Sequence, residues 1–162
     1  MAQRIYLDYN ATAPIRPEVI ELMCKIMDTV GNASSVHEPG RQARQRVETA
    51  RQQVANLVSA SVKNVIFTGS GTEADNLALQ GFLPRHLIVS GIEHGAILAP
   101  ALLLDPYASI VKVGSQGQLD LASLEAALFA SDGPSLVSLM LANNETGVIQ
   151  PVAEAAEIAH AH

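Results

Sequence analysis

Three short polar clusters carry the groups in this chain that could do chemistry. The first, Gly69-Ser70-Gly71-Thr72-Glu73-Ala74-Asp75-Asn76, follows the run Val65-Ile66-Phe67-Thr68 and leads into a helical pattern. Glycines there let the backbone approach an oxygen-rich ligand. Unpaired N–H groups and the positive end of the helix dipole face whatever binds, so phosphate is the natural guest. The second cluster, Gly91-Ile92-Glu93-His94-Gly95, brings a flat imidazole able to stack and to move protons. The third, Asn143-Asn144-Glu145-Thr146-Gly147, brings carboxamides. Gathered in one place, they supply the group types that hold a phosphorylated aromatic ligand.

The elements predicted around these clusters would gather them. From residue 65 the pattern alternates: strand 65–68, helix 72–80, strand 86–90, helix 96–104, strand 109–113, helix 121–130 capped by Asp120, strand 135–141, and a helix opening at Pro151. Such alternation predicts an α/β fold, a mostly parallel sheet flanked by helices, with its binding crevice at the carboxyl ends of the strands. All three clusters follow predicted strands and therefore belong at that edge. Upstream, Val19, Leu22, Met23, Ile26, Met27 and Val30 recur at helical spacing behind Pro17, predicting an amphipathic helix that ends at Gly31. Ala43, Val47, Ala50, Val54, Leu57 and Val58 mark a second, long surface helix, with Arg44 and Glu48 one turn apart on its other side. The turn formers of residues 31–40 predict a loop between the two.

Composition narrows the possible partners. A net charge of −6 with no basic cluster leaves no electrostatic footprint for nucleic acid. The apolar run from Ala96 is interrupted by Pro100 and ended by Asp105, too short to span a bilayer, and no export signal or membrane anchor is expected. The single cysteine, Cys24, excludes an internal disulfide and is expected to be a small buried apolar residue; a reducing, cytoplasmic location is the default. The chain stops at His160-Ala161-His162 without a helix-ending residue, so it reads as a fragment.

At these residues the chain resembles the fold-type I pyridoxal-phosphate enzymes, and within them the class V cysteine desulfurases, sulfur donors for iron–sulfur clusters. The resemblance runs nearly end to end. It is carried by Tyr6-Leu7-Asp8-Tyr9-Asn10-Ala11-Thr12-Ala13-Pro14, the loop from Gly31-Asn32 to His37, the turn from Phe67-Thr68 to Asn76, Glu93-His94, and Asn143-Asn144-Glu145 with Gly147. It implies that the N–H groups of Gly71 and Thr72 and the Thr72 hydroxyl bind the cofactor phosphate, that His94 stacks on the pyridine ring and acts catalytically, and that Asn144 donates to the ring's phenolic oxygen. It also implies a homodimer that takes L-cysteine to alanine plus enzyme-bound persulfide sulfur for an acceptor protein. By the same resemblance residues 1–64 lead into the large domain and residues 65–162 form its first part. The family's Schiff-base lysine, nucleophilic cysteine, pyridine-pairing aspartate and substrate-binding arginine lie beyond residue 162, so this polypeptide alone is expected to be inactive. Two positions depart from the family: Gly69-Ser70 stands where Ser-Gly is usual, and Ala33 where a proline is usual.

Other readings stay open at this point. Gly69-Ser70-Gly71-Thr72-Glu73-Ala74 also satisfies a dinucleotide fingerprint, although the strand ending Ile88-Val89-Ser90 lacks the acidic residue that would hold a ribose. A selenocysteine lyase or an aminotransferase of the same class would keep the same cradle, and a non-catalytic dimerisation module is a further possibility. His86, His160 and His162 are expected to be structural or solvated. The last two stand two apart, a poor helical spacing for metal ligation. His37 could serve either the fold or a ligand, and Asn143-Asn144 could combine a turn with a ligand role.

Overall fold

The computed structural model describes residues 5–81 and 86–162, which separate into two compact units, Met1–Phe67 and Thr68–His162. In the first unit, helix α1 (Pro17–Met27) opens on Pro17 in the first helical turn, where its missing N–H costs nothing. It stops four residues before Gly31. The Asp28 N–H bonds back to Cys24 O and Ile26 O, and both the amide and the hydroxyl of Thr29 bond to Ile26 O, closing the last turn early. Helix α2 (Glu38–Leu57) starts inside the segment predicted as a loop, because Pro39 fits its first turn and the His37 ring caps it by accepting from the Gly40 N–H at 3.3 Å. Arg44 does not pair with Glu48; its Nε donates to Ala33 O at 2.8 Å, while Glu48 pairs with Arg51 at 3.2 Å.

The predicted strand at residues 65–68 does not form. Val65 has extended dihedrals, φ −96° and ψ 119°, but a ladder needs a partner, and among the described residues none pairs with this segment. The Arg51 guanidinium donates to the Val65 carbonyl instead and lies over the Phe67 ring, 5.0 Å from its centroid.

The second unit is the predicted layered α/β structure. Helix α3 (Gly71–Gly81) is followed by β1 (His86–Ser90), α4 (Gly95–Leu104), β2 (Ser109–Val111), α5 (Leu121–Phe129), β3 (Ser135–Ser138) and α6 (Val152–Ala161). The three strands are parallel in the order β2-β1-β3, with Ser90 opposite Val111 and Val89 opposite Ser138, so their carboxyl ends are level. Alternation along β1 splits the core in two. Leu87 and Val89 pack with Leu79 of α3 and Ile97 and Ala101 of α4 on one face. On the other, Ile88 packs with Leu124 and Leu128 of α5 and Ala155 of α6.

The two outer strands end sooner than predicted. Beyond Val111 the chain tightens into a turn at Gly117 (φ +76°), with Val113 bridged to Leu119. Beyond Ser138 it leaves the sheet because its partner β1 turns away at Gly91, and Ala142 bridges to Ile149 instead. Helix α6 begins at Val152, with Pro151 as its cap rather than its first residue.

Candidate functional site

The strand order creates the crevice. The chain leaves β1 for α4 on one face of the sheet and leaves β3 for α6 on the other, so the two exits diverge at the carboxyl edge. This is a topological switch point, where open α/β sheets bind their ligands. Residues 91–95 and 139–147 border it.

His94 is the N-cap of α4 and is exposed. Its Nδ1 accepts from the Ala96 N–H at 3.1 Å, so in the neutral ring the proton sits on Nε2, and the imidazole is held by the helix it begins. Beside it Glu93 is buried, 9% exposed. Burial pushes its carboxyl up from the ordinary value and Asp75 adds to this, against hydrogen bonds from the Met140 amide, the Ser138 hydroxyl and the His94 amide that pull it down. The Ser138 Oγ lies 3.4 Å from Glu93 Oε1. Glu93 therefore ties the exit of β1 to the exit of β3.

Asn143 makes the second tie. Its Nδ2 donates to Ile92 O at 3.2 Å, and its Oδ1 accepts from the amides of Glu145 and Thr146 at 3.0 and 2.9 Å and from the Thr146 hydroxyl at 3.1 Å. Of the asparagine pair, Asn143 thus builds the turn, and Asn144 is exposed on the loop that Asn143 fixes.

The glycine turn heads α3, which packs beside α4 in the same layer. Gly71 and Thr72 are the first two helical residues, so their amides have no carbonyl one turn back inside the helix, and both residues are exposed. A Cβ placed on Gly71 would meet nothing within 4 Å, so the turn is open to a ligand. The Gly69-Ser70 departure is explained by capping. The Ser70 Oγ accepts from the Glu73 amide at 3.2 Å, and Glu73 Oε2 accepts from the Gly69 amide at 2.7 Å. This reciprocal pair orders the turn and leaves the amides of residues 71 and 72 to an anion. The donor set fits a phosphate.

Helix α3 packs beside α4, the helix that His94 caps, and its Asp75 adds to the upward push on the Glu93 carboxyl. The turn, the imidazole cap and the fixed asparagine loop therefore belong to one end of the second unit. Sequence reasoning missed Glu93 and Asn143 as the ties between loops. A buried carboxyl leaves no compositional signal, whereas the Asn143 role could have been suspected from Asn-x-x-Thr spacing after a strand.

One expectation is overturned and the remaining histidines find structural partners. Cys24 is exposed, not buried, because no described residue of the first unit covers the α1 face on which it lies. His37 caps α2, His86 is held by Asp105 and Ser109, and the His162 ring meets Phe129 edge-on at 4.2 Å. Among the described residues no cluster of metal ligands occurs, and no helix is long and apolar enough to cross a membrane. The dinucleotide fingerprint is weakened as well, since its glycine turn should follow a paired strand.

A sequence profile of the family described as Aminotransferase class-V matches residues 5–162. The chain is 38% identical over 167 residues to the IscS-like cysteine desulfurase of Mycobacterium tuberculosis, covering 95% of this chain and 42% of that protein. It is 43% identical over 159 residues to the cysteine desulfurase of Nostoc sp., covering 93% and 39%. The solved NifS-like protein of Rickettsia africae superimposes with a TM-score of 0.92 at 38% identity, covering 98% of this chain and 45% of that one. The chain spans about two fifths of the length of these curated relatives.

Proposed function

The chain belongs to the aminotransferase class-V family, and from that premise we propose that it supplies the phosphate-binding and ring-contacting part of a pyridoxal-phosphate-dependent cysteine desulfurase. The observation that carries this is the switch-point crevice bordered by His94 and the Asn143-fixed loop, with the amides of Gly71 and Thr72, which have no acceptor among the described residues, at the same end of the unit. In this reading those two amides and the Thr72 hydroxyl bind the cofactor's phosphate dianion, helped by the dipole of α3. His94 presents its ring to the cofactor's aromatic face with its azimuth set by the Ala96 N–H, leaving Nε2 as the nitrogen able to exchange a proton. Asn144 donates its carboxamide to the cofactor ring. The bound cofactor supplies an electron sink for chemistry at the substrate's α-carbon. The substrate is L-cysteine, the product sulfur passes to an acceptor protein, and the working enzyme is a cytoplasmic homodimer.

The test is a titration of the chain with pyridoxal phosphate followed by nuclear magnetic resonance. The amides of Gly71 and Thr72 and the ring protons of His94 should shift together with one dissociation constant, and Thr72→Ala should weaken binding about tenfold, the loss expected for one charge-assisted hydrogen bond. Shifts confined to lysines, or none at residues 71, 72 and 94, would overturn the assignment.

A further inference from the structure

The amino end of β1 carries a second constellation that the crevice does not use. His86 and Ser109 share a face of the sheet, because Ser109 is registered opposite Ile88, two residues along from His86. The His86 Nε2 lies 2.9 Å from the Ser109 hydroxyl, and its Nδ1 lies 3.0 Å from Asp105 Oδ2. Asp105 is itself fixed, accepting from the Leu87 amide at 2.9 Å and from the Tyr107 amide at 2.9 Å. Burial alone would raise its carboxyl, but these donors and His86 outweigh it and hold the group below the usual carboxylate range. Asp105 is therefore an acceptor only, which assigns the proton on a neutral His86 to Nδ1. Nε2 is left to accept from Ser109.

The three side chains line a cleft of about 720 Å³ whose walls also include Leu104, Tyr107 and Pro134. The His86 and Asp105 side chains are 23% and 14% exposed, so the pair is sheltered while Ser109 still opens on the cleft. Gly133 lines the same wall, and among the described residues its amide has no acceptor. Among the described residues the cleft carries the carboxylates of Asp105 and Asp132 and no lysine or arginine, and the two carboxylates disfavour anions. The length of β1, four steps of about 3.3 Å, separates this cleft from the exit loop that carries His94.

We propose that Ser109, His86 and Asp105 form an acyl-transfer site that accepts small neutral or cationic esters. The roles follow from geometry alone: nucleophile, base and orienter, each within hydrogen-bond reach of the next. Ser109 Oγ adds to the ester carbonyl carbon while its proton passes to His86 Nε2, and the Gly133 amide is available to the oxygen that becomes charged. The intermediate collapses, the carbon–oxygen bond to the alcohol breaks, and the leaving oxygen takes the proton back from Nε2. Water then adds by the same route, releasing the acid and restoring Ser109, with no change of oxidation state. Asp105 is a positioning residue that fixes the His86 tautomer.

The chain is treated with a fluorophosphonate probe, the labelled residue is mapped by mass spectrometry, and hydrolysis of p-nitrophenyl acetate is followed in parallel. Neither readout involves pyridoxal phosphate, so this inference and the cofactor assignment fail independently. Labelling of Ser109 is expected, absent in Ser109→Ala and at least about 100-fold slower in His86→Gln, the usual loss on removing a general base. Urea unfolding of each variant reports whether it is folded. An unlabelled Ser109 in the unaltered chain overturns the proposal. So does labelling that continues at full rate in a folded His86→Gln chain.

Discussion

Replacing Asn143 by alanine tests whether this side chain holds the crevice together. Five hydrogen bonds are lost, the weakest of them the 3.5 Å contact from Nδ2 to Met140 Sδ. The Ile92 carbonyl, part-buried, loses the Nδ2 donor at 3.2 Å, while the exposed amides of Glu145 and Thr146 and the Thr146 hydroxyl lose Oδ1. Exposed donors regain water, so each is worth the low end of the net range, about 0.5 kcal/mol, and the part-buried carbonyl about 1 kcal/mol. The sum is roughly 2.5 kcal/mol, or a fall of about 1.2 M in urea midpoint at a slope near 2 kcal/mol/M. Thr146→Val removes only the hydroxyl's contacts and should cost about 0.5 kcal/mol. The local readout is amide hydrogen exchange, in which residues 145 and 146 should exchange faster in Asn143→Ala while β1 is unaffected. An unchanged midpoint, or unchanged exchange at those two amides, would refute the claim that Asn143 builds this loop.

Three further outcomes are expected. Gly40→Ala should destabilise the first unit despite alanine's better helix propensity of about 1 kcal/mol, because its Cβ would clash with Ser35 O and lie 2.8 Å from Asn32 O; circular dichroism during thermal unfolding measures this. The Glu93 carboxyl is raised above 4.5 in the fold, so the stability it contributes is complete below that pH and is lost as pH rises through the folded value. Glu93→Gln should lack that fall, and the difference between the two urea-midpoint curves should open only above the unfolded value. The 162-residue polypeptide supplied with pyridoxal phosphate and L-cysteine should release no sulfide above a heat-denatured control; its three lysines, Lys25, Lys63 and Lys112, all lie outside the three polar clusters.

How much was legible in the sequence follows from how locally each feature is determined. Strand β1 was read to the residue because a β-branched run bounded by Gly91 needs no distant information, and so was the start of α5, because Asp120 accepts from the amides of Ala122 and Ser123 as a cap should. The 65–68 strand was over-read. Its composition is right for a strand, but pairing is a non-local property, and the segment's carbonyl goes to Arg51. The same limit shortened β2, which ends opposite the last residue of β1, and β3, which ends one residue earlier. At the site, the glycine turn and the imidazole were visible as residue types at strand ends. The hydrogen bonds that fix them were not, since Glu93 to Ser138 spans 45 residues and Asn143 to Ile92 spans 51.

Helix α1 shows the same limit from the other side. Its apolar spacing predicts a buried stripe, yet no residue of it is buried, and Leu22 and Ile26 are 57% and 43% exposed. Periodicity records that a helix was selected to lie against something; it does not record what. In β1 the same kind of pattern is answered from both faces within its own unit, and Leu87, Ile88 and Val89 are fully buried. Local stability should divide accordingly, because opening β1 exposes both halves of a core whereas opening α1 exposes little that is not already wet. The loop of His94 and the cleft of His86 hang from the two ends of that strand, so each constellation rests on the most protected backbone of its unit. The groups that do chemistry remain at the rims, where ligands can reach them.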